Sequence, residues 1–171
     1  MISEFFAEIK KNTQKTFVRT PSQREHASPL GEGLIFMVIF ACAFLLRLLH
    51  LQQIKDTPLF LPIVKGLDTY LYHTWAVRIA RGDMLGSEIF YGTPLYPYLL
   101  GFVYHLSKGS IFTAKLIQYG VSAFNCSLIY LLGRKALNRP IGVIAGIMAG
   151  VYSMDIYFSG LIAPSFLSIF F

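Results

Sequence analysis

Charged side chains are scarce in this chain of 171 residues, in which Asp, Glu, Lys and Arg together make up 14%. Soluble globular domains average about 25%. Hydrophobic residues account for 54% of the chain, with 15 Phe and 10 Tyr among them. Aromatic side chains collect at membrane interfaces. The low charge content therefore excludes an ordinary soluble domain and predicts an integral membrane protein.

Cysteine is also rare, because only Cys42 and Cys126 are present and both lie inside apolar runs. We interpret both as small buried thiols, which carry no information about the redox compartment. The formal net charge is +6, but the basic residues flank hydrophobic runs and do not form one stripe. This pattern excludes nucleic acid as a partner and makes the basic residues topology signals.

Residues 1–33 are polar and basic, and we interpret them as a cytoplasmic tail. The sequence is compatible with two structures for this tail, a helix that lies on the membrane surface or a disordered segment. The polar region is too long for a secretory signal peptide, and no small-residue cleavage site follows the apolar run. Residues 34–51 are apolar except for Arg47 and His50, which are expected to snorkel to the interface. This run predicts a first transmembrane helix with a cytoplasmic N-terminus.

Further apolar runs at residues 111–132 and 141–158 predict two more spans, separated by a basic turn at residues 134–139 that is expected to be cytoplasmic. The run 166–171 is apolar up to the last residue, so we expect a truncated fourth span and an N-terminal piece of a longer protein. The predicted fold class is all-α: a polytopic transmembrane helical bundle of about three full spans plus a truncated one.

The outer loop between the first two spans is expected to contain two helices. Asp68 is predicted to N-cap a helix that runs to about Arg81 and ends before Gly82. This helix has too many polar residues to cross the bilayer, so it should lie along the membrane. The run 95–106 contains Pro97 and is also short for a span, so it is expected at the outer interface. Both are therefore predicted to be juxtamembrane helices.

Four short motifs follow one another along the chain: Asp68-Thr69-Tyr70, Ala80-Arg81-Gly82-Asp83, Thr93-Pro94-Leu95-Tyr96-Pro97 and Leu131-Leu132-Gly133-Arg134-Lys135-Ala136-Leu137. In these motifs, residues 34–171 resemble the start of the C-type-fold (GT-C) membrane glycosyltransferases, in the branch of the protein mannosyltransferases and aminoarabinose transferases. The resemblance implies transfer of a sugar from a polyprenyl-phosphate donor to a protein, lipid or glycan at the outer face of a bacterial inner membrane. A piece that lacks most of the family's spans is expected to be inactive alone.

The resemblance assigns Asp68 as the catalytic carboxylate, which would take a proton from the acceptor as the sugar transfers. A plain helix N-cap is the alternative role. Arg78 and Arg81 are candidates for contact with the donor phosphate, and their alternative partners are lipid headgroups. Tyr96 is a candidate sugar platform or, alternatively, part of an interfacial aromatic belt with Tyr98.

Two departures from the family pattern concern metal binding. Many relatives carry acidic residues at the positions of Gly92 and Ser165, and serine cannot replace a carboxylate as a metal ligand. Asp155 is a possible substitute, although a structural or interfacial role fits it better. The resemblance thus allows a divalent metal, but the residues do not support one, and no cofactor is evident. His73 would point about 140° away from Asp68 on an ideal helix, so we interpret it as an interfacial histidine.

The competing function class is a non-catalytic membrane protein, either part of a transporter or an assembly subunit. A transporter would more often place ionisable residues within its spans. Arg47, Lys115 and Asp155 are the strongly charged residues of the predicted spans, and all three are read as lying near span ends. This distribution weighs against transport.

Overall fold

The computed structural model describes residues 29–61, 64–83 and 93–164. Within these ranges the secondary structure is helical and contains no strand: α1 Pro29–Ile54, a 3₁₀ turn at Pro58–Phe60, α2 Asp68–Ala80, α3 Leu95–Ser107, α4 Ile111–Ala136, α5 Arg139–Val151 and α6 Ser153–Ser159. The all-α prediction is confirmed for the described residues. The chain divides into two compact units, Met1–Glu32 and Gly33–Phe171, and the predicted tail lies almost entirely outside the described residues.

Two helices are long and apolar enough to cross a membrane: Leu30–Ile54, which is nearly all of α1, and α4 with its 26 residues. A span needs about 20 apolar residues, so both fit a membrane protein. Helices α5 and α6 pass the same test only together, and the chain bends by 54° between them. The described residues therefore hold two candidate spans, or three if the bent pair is one span.

The predicted span over 141–158 is not one continuous helix, because the chain leaves the helix at Tyr152 with φ −66° and ψ 105°. Helices are present over the predicted runs 34–51 and 111–132 and are longer than predicted, whereas the predicted truncated span at residues 166–171 lies outside the described residues. α1 continues to Ile54 beyond the predicted end at residue 51, and α4 continues to Ala136 beyond residue 132. Backbone hydrogen bonding carries a helix past its apolar stretch, so hydrophobicity alone underestimates helix length.

The start of α2 differs from the prediction. Leu67 occupies the N-cap position and makes no side-chain capping hydrogen bond, and Asp68 is the first helical residue. The N-cap role predicted for Asp68 is therefore wrong, although a carboxylate in the first turn still favours the helix through the backbone dipole. The predicted end of the helix is confirmed, since Arg81 is the C-cap and Gly82 follows with φ +99°. A left-handed glycine at that position commonly ends a helix.

Helices α4 and α5 pack closely through glycine. A Cβ atom on Gly133 would lie 2.9 Å from Cα of Gly142, and one on Gly142 would lie 2.6 Å from the carbonyl oxygen of Tyr130. Real side chains do not fit at such distances, so both positions require glycine. Small residues allow this kind of close helix packing in membranes.

Two buried clusters hold the remaining helices together. One joins α2 and α3 to α4 and to the turn after α6, and the other joins α1 to α4. The first consists of Tyr72, Ala76, Tyr96, Leu100, Tyr104, Ala114 and Ile162, and the second of Ile39, Ala43, Ala123, Cys126 and Tyr130. Since the first cluster includes residues from α2, α3 and α4, it packs α2 and α3 against α4.

Candidate functional site

A cavity of about 400 Å³ lies where the start of α2 meets the end of α6. Its size falls in the range of small-molecule sites, roughly 300–1,000 Å³. We call it the Asp68 pocket. Its lining comes from the 3₁₀ turn, the segment before α2, the first residues of α2, one side chain of α4, and α6 with its following turn: Pro58, Phe60, Leu61, Val64, Leu67, Asp68, Thr69, Lys115, Tyr157, Phe158, Leu161, Ile162 and Ala163.

Asp68 contributes an exposed carboxylate to this pocket. Asp68 is the first helical residue and not the N-cap, so its position does not assign it the capping role. An accessible carboxylate at the edge of a cavity has the placement that a general base requires. The structure thus puts the predicted catalytic residue in a pocket.

Lys115 is the second charged residue of the lining, and sequence reasoning did not assign it to the site. It is only 1% exposed, and its Nζ atom lies 4.8 Å from the centre of the Phe60 ring. A cation over an aromatic face at this distance is attracted by the ring quadrupole. The pocket therefore combines a carboxylate, a buried ammonium group and a wall that is mostly apolar.

The other predicted site residues lie elsewhere. Arg78 and Arg81 are exposed at the far end of α2, and neither lines the Asp68 pocket. Arg78 is ten positions after Asp68 in the helix, which places their backbones roughly 15 Å apart along the axis. The structure does not bring these arginines to Asp68, and their contact with a donor stays a prediction.

Tyr96 is buried in the first cluster, with 2% of its surface exposed. Its hydroxyl oxygen accepts a hydrogen bond from Nε2 of Gln118 at 3.2 Å, and burial raises the pKa of the phenol well above its ordinary value. Tyr96 is not among the residues that line the Asp68 pocket. The structure thus gives it a packing position, and its role toward a sugar stays a prediction.

His73 packs between α2 and α3. Its Nδ1 atom lies 2.8 Å from the hydroxyl of Tyr104, and the two rings meet edge to face. Burial lowers the pKa of His73 and raises that of Tyr104. The phenol therefore stays protonated at neutral pH, and the tautomer of His73 decides which of the two groups donates the hydrogen bond. The contact joins α2 and α3 to each other.

A buried polar network lies among α1, α4 and the bent pair, and Arg47 is its centre. Arg47 is fully buried, so the prediction that it snorkels to the interface is wrong. A guanidinium group carries five N–H donors, and each has an acceptor here. Nε donates to Ser122 Oγ at 2.9 Å, and Nη1 donates to the carbonyl oxygens of Ala43 at 3.0 Å and Gly150 at 3.4 Å. Nη2 donates to Cys126 Sγ at 3.5 Å and to the Asp155 carboxylate.

The network accounts for the bend between α5 and α6. The last carbonyl groups of a helix have no partner within it, and Arg47 supplies one to Gly150. The cation lies at the negative end of the α5 dipole, and Asp155 lies in the first turn of α6, where a carboxylate is favoured. Arg47 therefore bridges the two halves of the bent pair. Opposite charges inside two different apolar runs were the signal that sequence reasoning did not use.

In the part of the chain that the structure describes, no group of three His, Cys, Asp or Glu side chains lies close enough together to hold a metal ion. Asp155 is engaged with Arg47 and with Ser122 Oγ, which donates to it at 2.8 Å. These two contacts within the chain fit a structural role for Asp155. Metal dependence itself stays a prediction.

In comparisons with known proteins, no family model, no characterised protein and no solved structure matches the chain. The likeness to the C-type-fold glycosyltransferases therefore stays a prediction that rests on the four motifs.

Proposed function

We propose that the chain forms part of an integral-membrane glycosyltransferase of the C-type fold. It would move a sugar from a polyprenyl-phosphate donor to a protein, lipid or glycan at the outer face of the bacterial inner membrane, with the N-terminus in the cytoplasm. One observation carries the proposal: the exposed carboxylate of Asp68 lines a largely apolar pocket beside a candidate span. A lipid-borne donor and an acceptor would meet in such a place.

In the proposed reaction, Asp68 takes the proton of an acceptor hydroxyl or amine. The freed lone pair attacks the anomeric carbon, the bond from that carbon to the phosphate oxygen breaks, and the phosphate leaves on its lipid. The configuration of the sugar inverts. The apolar wall of the pocket would lie against the hydrocarbon chain of the donor.

Helices α2 and α3 fit the proposed juxtamembrane position. Each has 13 residues, which corresponds to roughly 20 Å and is short of the hydrocarbon thickness of about 30 Å. The exposed Arg78 and Arg81 at the end of α2 would then face phosphate groups, either of bilayer lipids or of the donor.

The substitution Asp68→Asn tests the proposal. It removes the charge of the base and keeps the shape of the side chain, and the N-cap is unchanged because Leu67 occupies that position. Transfer should fall about 10²- to 10⁴-fold. The assay follows radiolabelled sugar from a polyprenyl-phosphate donor in membranes that contain the native gene product, with expression measured in parallel.

A matched control is Asp56→Asn, which neutralises another exposed acid outside the pocket lining and should leave transfer unchanged. Near-normal transfer by Asp68→Asn at normal expression would overturn the catalytic assignment.

A transporter subunit is the second candidate, and one observation favours it. Bent spans and intramembrane ionisable residues mark substrate pathways in transporters, and the Arg47–Asp155 pair lies at such a bend. However, all five Arg47 donors are used within the chain, which fits a structural pair better. Solute uptake into proteoliposomes that is unaffected by Asp68→Asn would favour transport.

A further inference from the structure

The outward face of α3 is apolar along the whole helix. It carries four large hydrophobic side chains that are 45–68% exposed: Leu95, Leu99, Phe102 and Leu106. Their spacing of four, three and four residues places them in one row, within about 60° of the helix circumference. We call this row the α3 stripe. The opposite face is buried, with Leu100 and Tyr104 in the first cluster. A helix whose outer face meets water is normally polar there, so the stripe calls for an apolar environment.

Helix α2 exposes charge instead. The exposed side chains of α2 are Asp68, Leu71 and Arg78, and the exposed Arg81 follows as the C-cap. The two neighbouring helices therefore present different chemistry to their surroundings. A single environment, either water or hydrocarbon, does not fit the outer faces of both.

Helices α2 and α3 run side by side in the same direction. Near their starts, the ring centroids of Tyr72 and Tyr96 lie 5.2 Å apart. Near their ends, Nδ1 of His105 lies 3.2 Å from the carbonyl oxygen of Ala80. The arginines of α2 and the exposed C-cap Lys108 of α3 thus lie toward the same end of the pair. The charges gather at that end, and the α3 stripe itself contains none.

The position of α3 relative to a candidate span indicates what covers the stripe. Three residues separate the end of α3 from the start of α4, and Tyr104 shares the first cluster with Ala114 of α4. Helix α3 therefore lies against the first turns of a helix that is long enough to cross a membrane. With 13 residues, α3 is roughly 20 Å long and too short to cross by itself. An apolar row on one side of a short helix fits a helix that lies in the membrane plane.

A second copy of the chain is a poorer occupant of the stripe. The row from Leu95 to Leu106 is about 16 Å long and one helix wide, which corresponds to roughly 160 Å². Stable protein–protein interfaces bury about 800 Å² on each partner. Lipid hydrocarbon needs no surface of matching shape and size, and the neighbouring span already requires it.

We propose that α3 lies in the plane of the bilayer with the α3 stripe in the hydrocarbon, and that α2 lies nearer the water. The sequence placed both helices at the same interface, and the exposed side chains now separate them in depth. The charged ends of the pair would then lie among the lipid headgroups, where cations are favoured. The proposed function is not needed for this placement, because it rests on the exposed side chains of the two helices alone.

Electron paramagnetic resonance of nitroxide labels tests the placement. The full chain carries Cys42→Ala and Cys126→Ser, so that one introduced cysteine is labelled at a time. Leu99→Cys and Phe102→Cys report on the stripe, and Arg81→Cys on α2 is the matched control. All three positions are exposed, so their substitution should not disturb the core. Far-ultraviolet circular dichroism of each labelled chain is compared with that of the native chain.

The labelled chains are reconstituted in vesicles of phosphatidylcholine and phosphatidylglycerol. Collisions of each label with molecular oxygen, which concentrates in hydrocarbon, are compared with collisions with nickel ethylenediaminediacetate, which stays in water. We expect oxygen to be the more effective relaxant at positions 99 and 102, and the nickel complex to be the more effective one at position 81. This difference should persist when unlabelled chain is added in excess.

Equal access of the nickel complex to positions 99, 102 and 81 would overturn the proposal, because the stripe would then face water. Dipolar broadening of the Phe102→Cys label that disappears on dilution with unlabelled chain would show a second copy on the stripe and reject the lipid. Oxygen access at position 81 as high as at position 102 would reject the difference in depth. The measurement involves no sugar transfer, so each of these results leaves the proposed function standing.

Discussion

Removal of the Asp155 carboxylate should destabilise the bundle strongly. Asp155 accepts hydrogen bonds from Arg47 and from Ser122 Oγ, and Arg47 is fully buried. In Asp155→Ala, the guanidinium group would keep its charge without a counter-ion. Breaking a buried ion pair costs about 3–5 kcal/mol. Since the Asp155 side chain is 13% exposed, water can partly replace it, and we expect the lower end, about 3 kcal/mol.

The measurement is reversible unfolding by sodium dodecyl sulfate in mixed micelles, followed by far-ultraviolet circular dichroism. Asp56→Ala removes an exposed acid at the turn after α1 and should change the free energy of unfolding by less than about 0.5 kcal/mol. Asp155→Asn keeps an oxygen acceptor and should cost less than Asp155→Ala. The double variant Arg47→Met with Asp155→Leu removes both charges and should recover most of the loss.

Two results would refute this reasoning. If Asp155→Ala is no less stable than Asp56→Ala, the ion pair does not hold the bent pair together. If the double variant is no more stable than Asp155→Ala, the cost comes from lost packing and hydrogen bonds, and the uncompensated charge of Arg47 is not its cause.

Two further predictions concern packing and pH. Gly133→Ala should lower the free energy of unfolding by about 1–3 kcal/mol, because its Cβ would meet the backbone of Gly142 at 2.9 Å. In Gly120→Ala, in the same helix, the nearest atom to the new Cβ lies at 4.0 Å, so this variant should be neutral or stabilising. Equal unfolding midpoints for the two variants would contradict this prediction. Burial lowers the pKa of His73 in the folded state, so the unfolded chain binds more protons, and stability present above about pH 6.5 falls as the pH drops below that value. Melting temperatures from pH 8 to pH 5 should decline less for His73→Gln, in which Tyr104 no longer faces a titrating ring; parallel curves would reject this role of His73.

The spans themselves were predictable from the sequence, because a bilayer demands a minimum length of apolar residues. The runs 34–51 and 111–132 located α1 and α4. The bend at Tyr152 was not predictable in this way. Sharp kinks usually occur at proline, glycine–serine pairs or bulges, and here the break is stabilised by Arg47, more than 100 residues earlier in the chain.

The candidate site was predicted in part. Asp68 was identified as a candidate site residue from a local motif. Its position at the start of a helix was also predictable, because that requires only the neighbouring residues. The part of the pocket lining that comes from α4 and from residues 157–163 could not be predicted, since both regions are remote from Asp68 in sequence. The arginines of α2 are close to Asp68 in sequence, yet the helix carries them away from it.

Arg47 and Lys115 show why position along a span is a weak guide to the role of a charge. Arg47 lies seven residues before the end of α1 at Ile54, which is about 10 Å along the axis and beyond easy reach of the interface. A charge at that depth must face the protein interior, and its five donors are all used there, so its role is structural. Lys115 lies four residues into α4, about 6 Å from the helix start, where the interface is within reach. It is nevertheless buried, and it is one of the residues that line the Asp68 pocket. Distance from the helix end therefore did not predict which of the two charged side chains reaches solvent, because packing against other helices buries both.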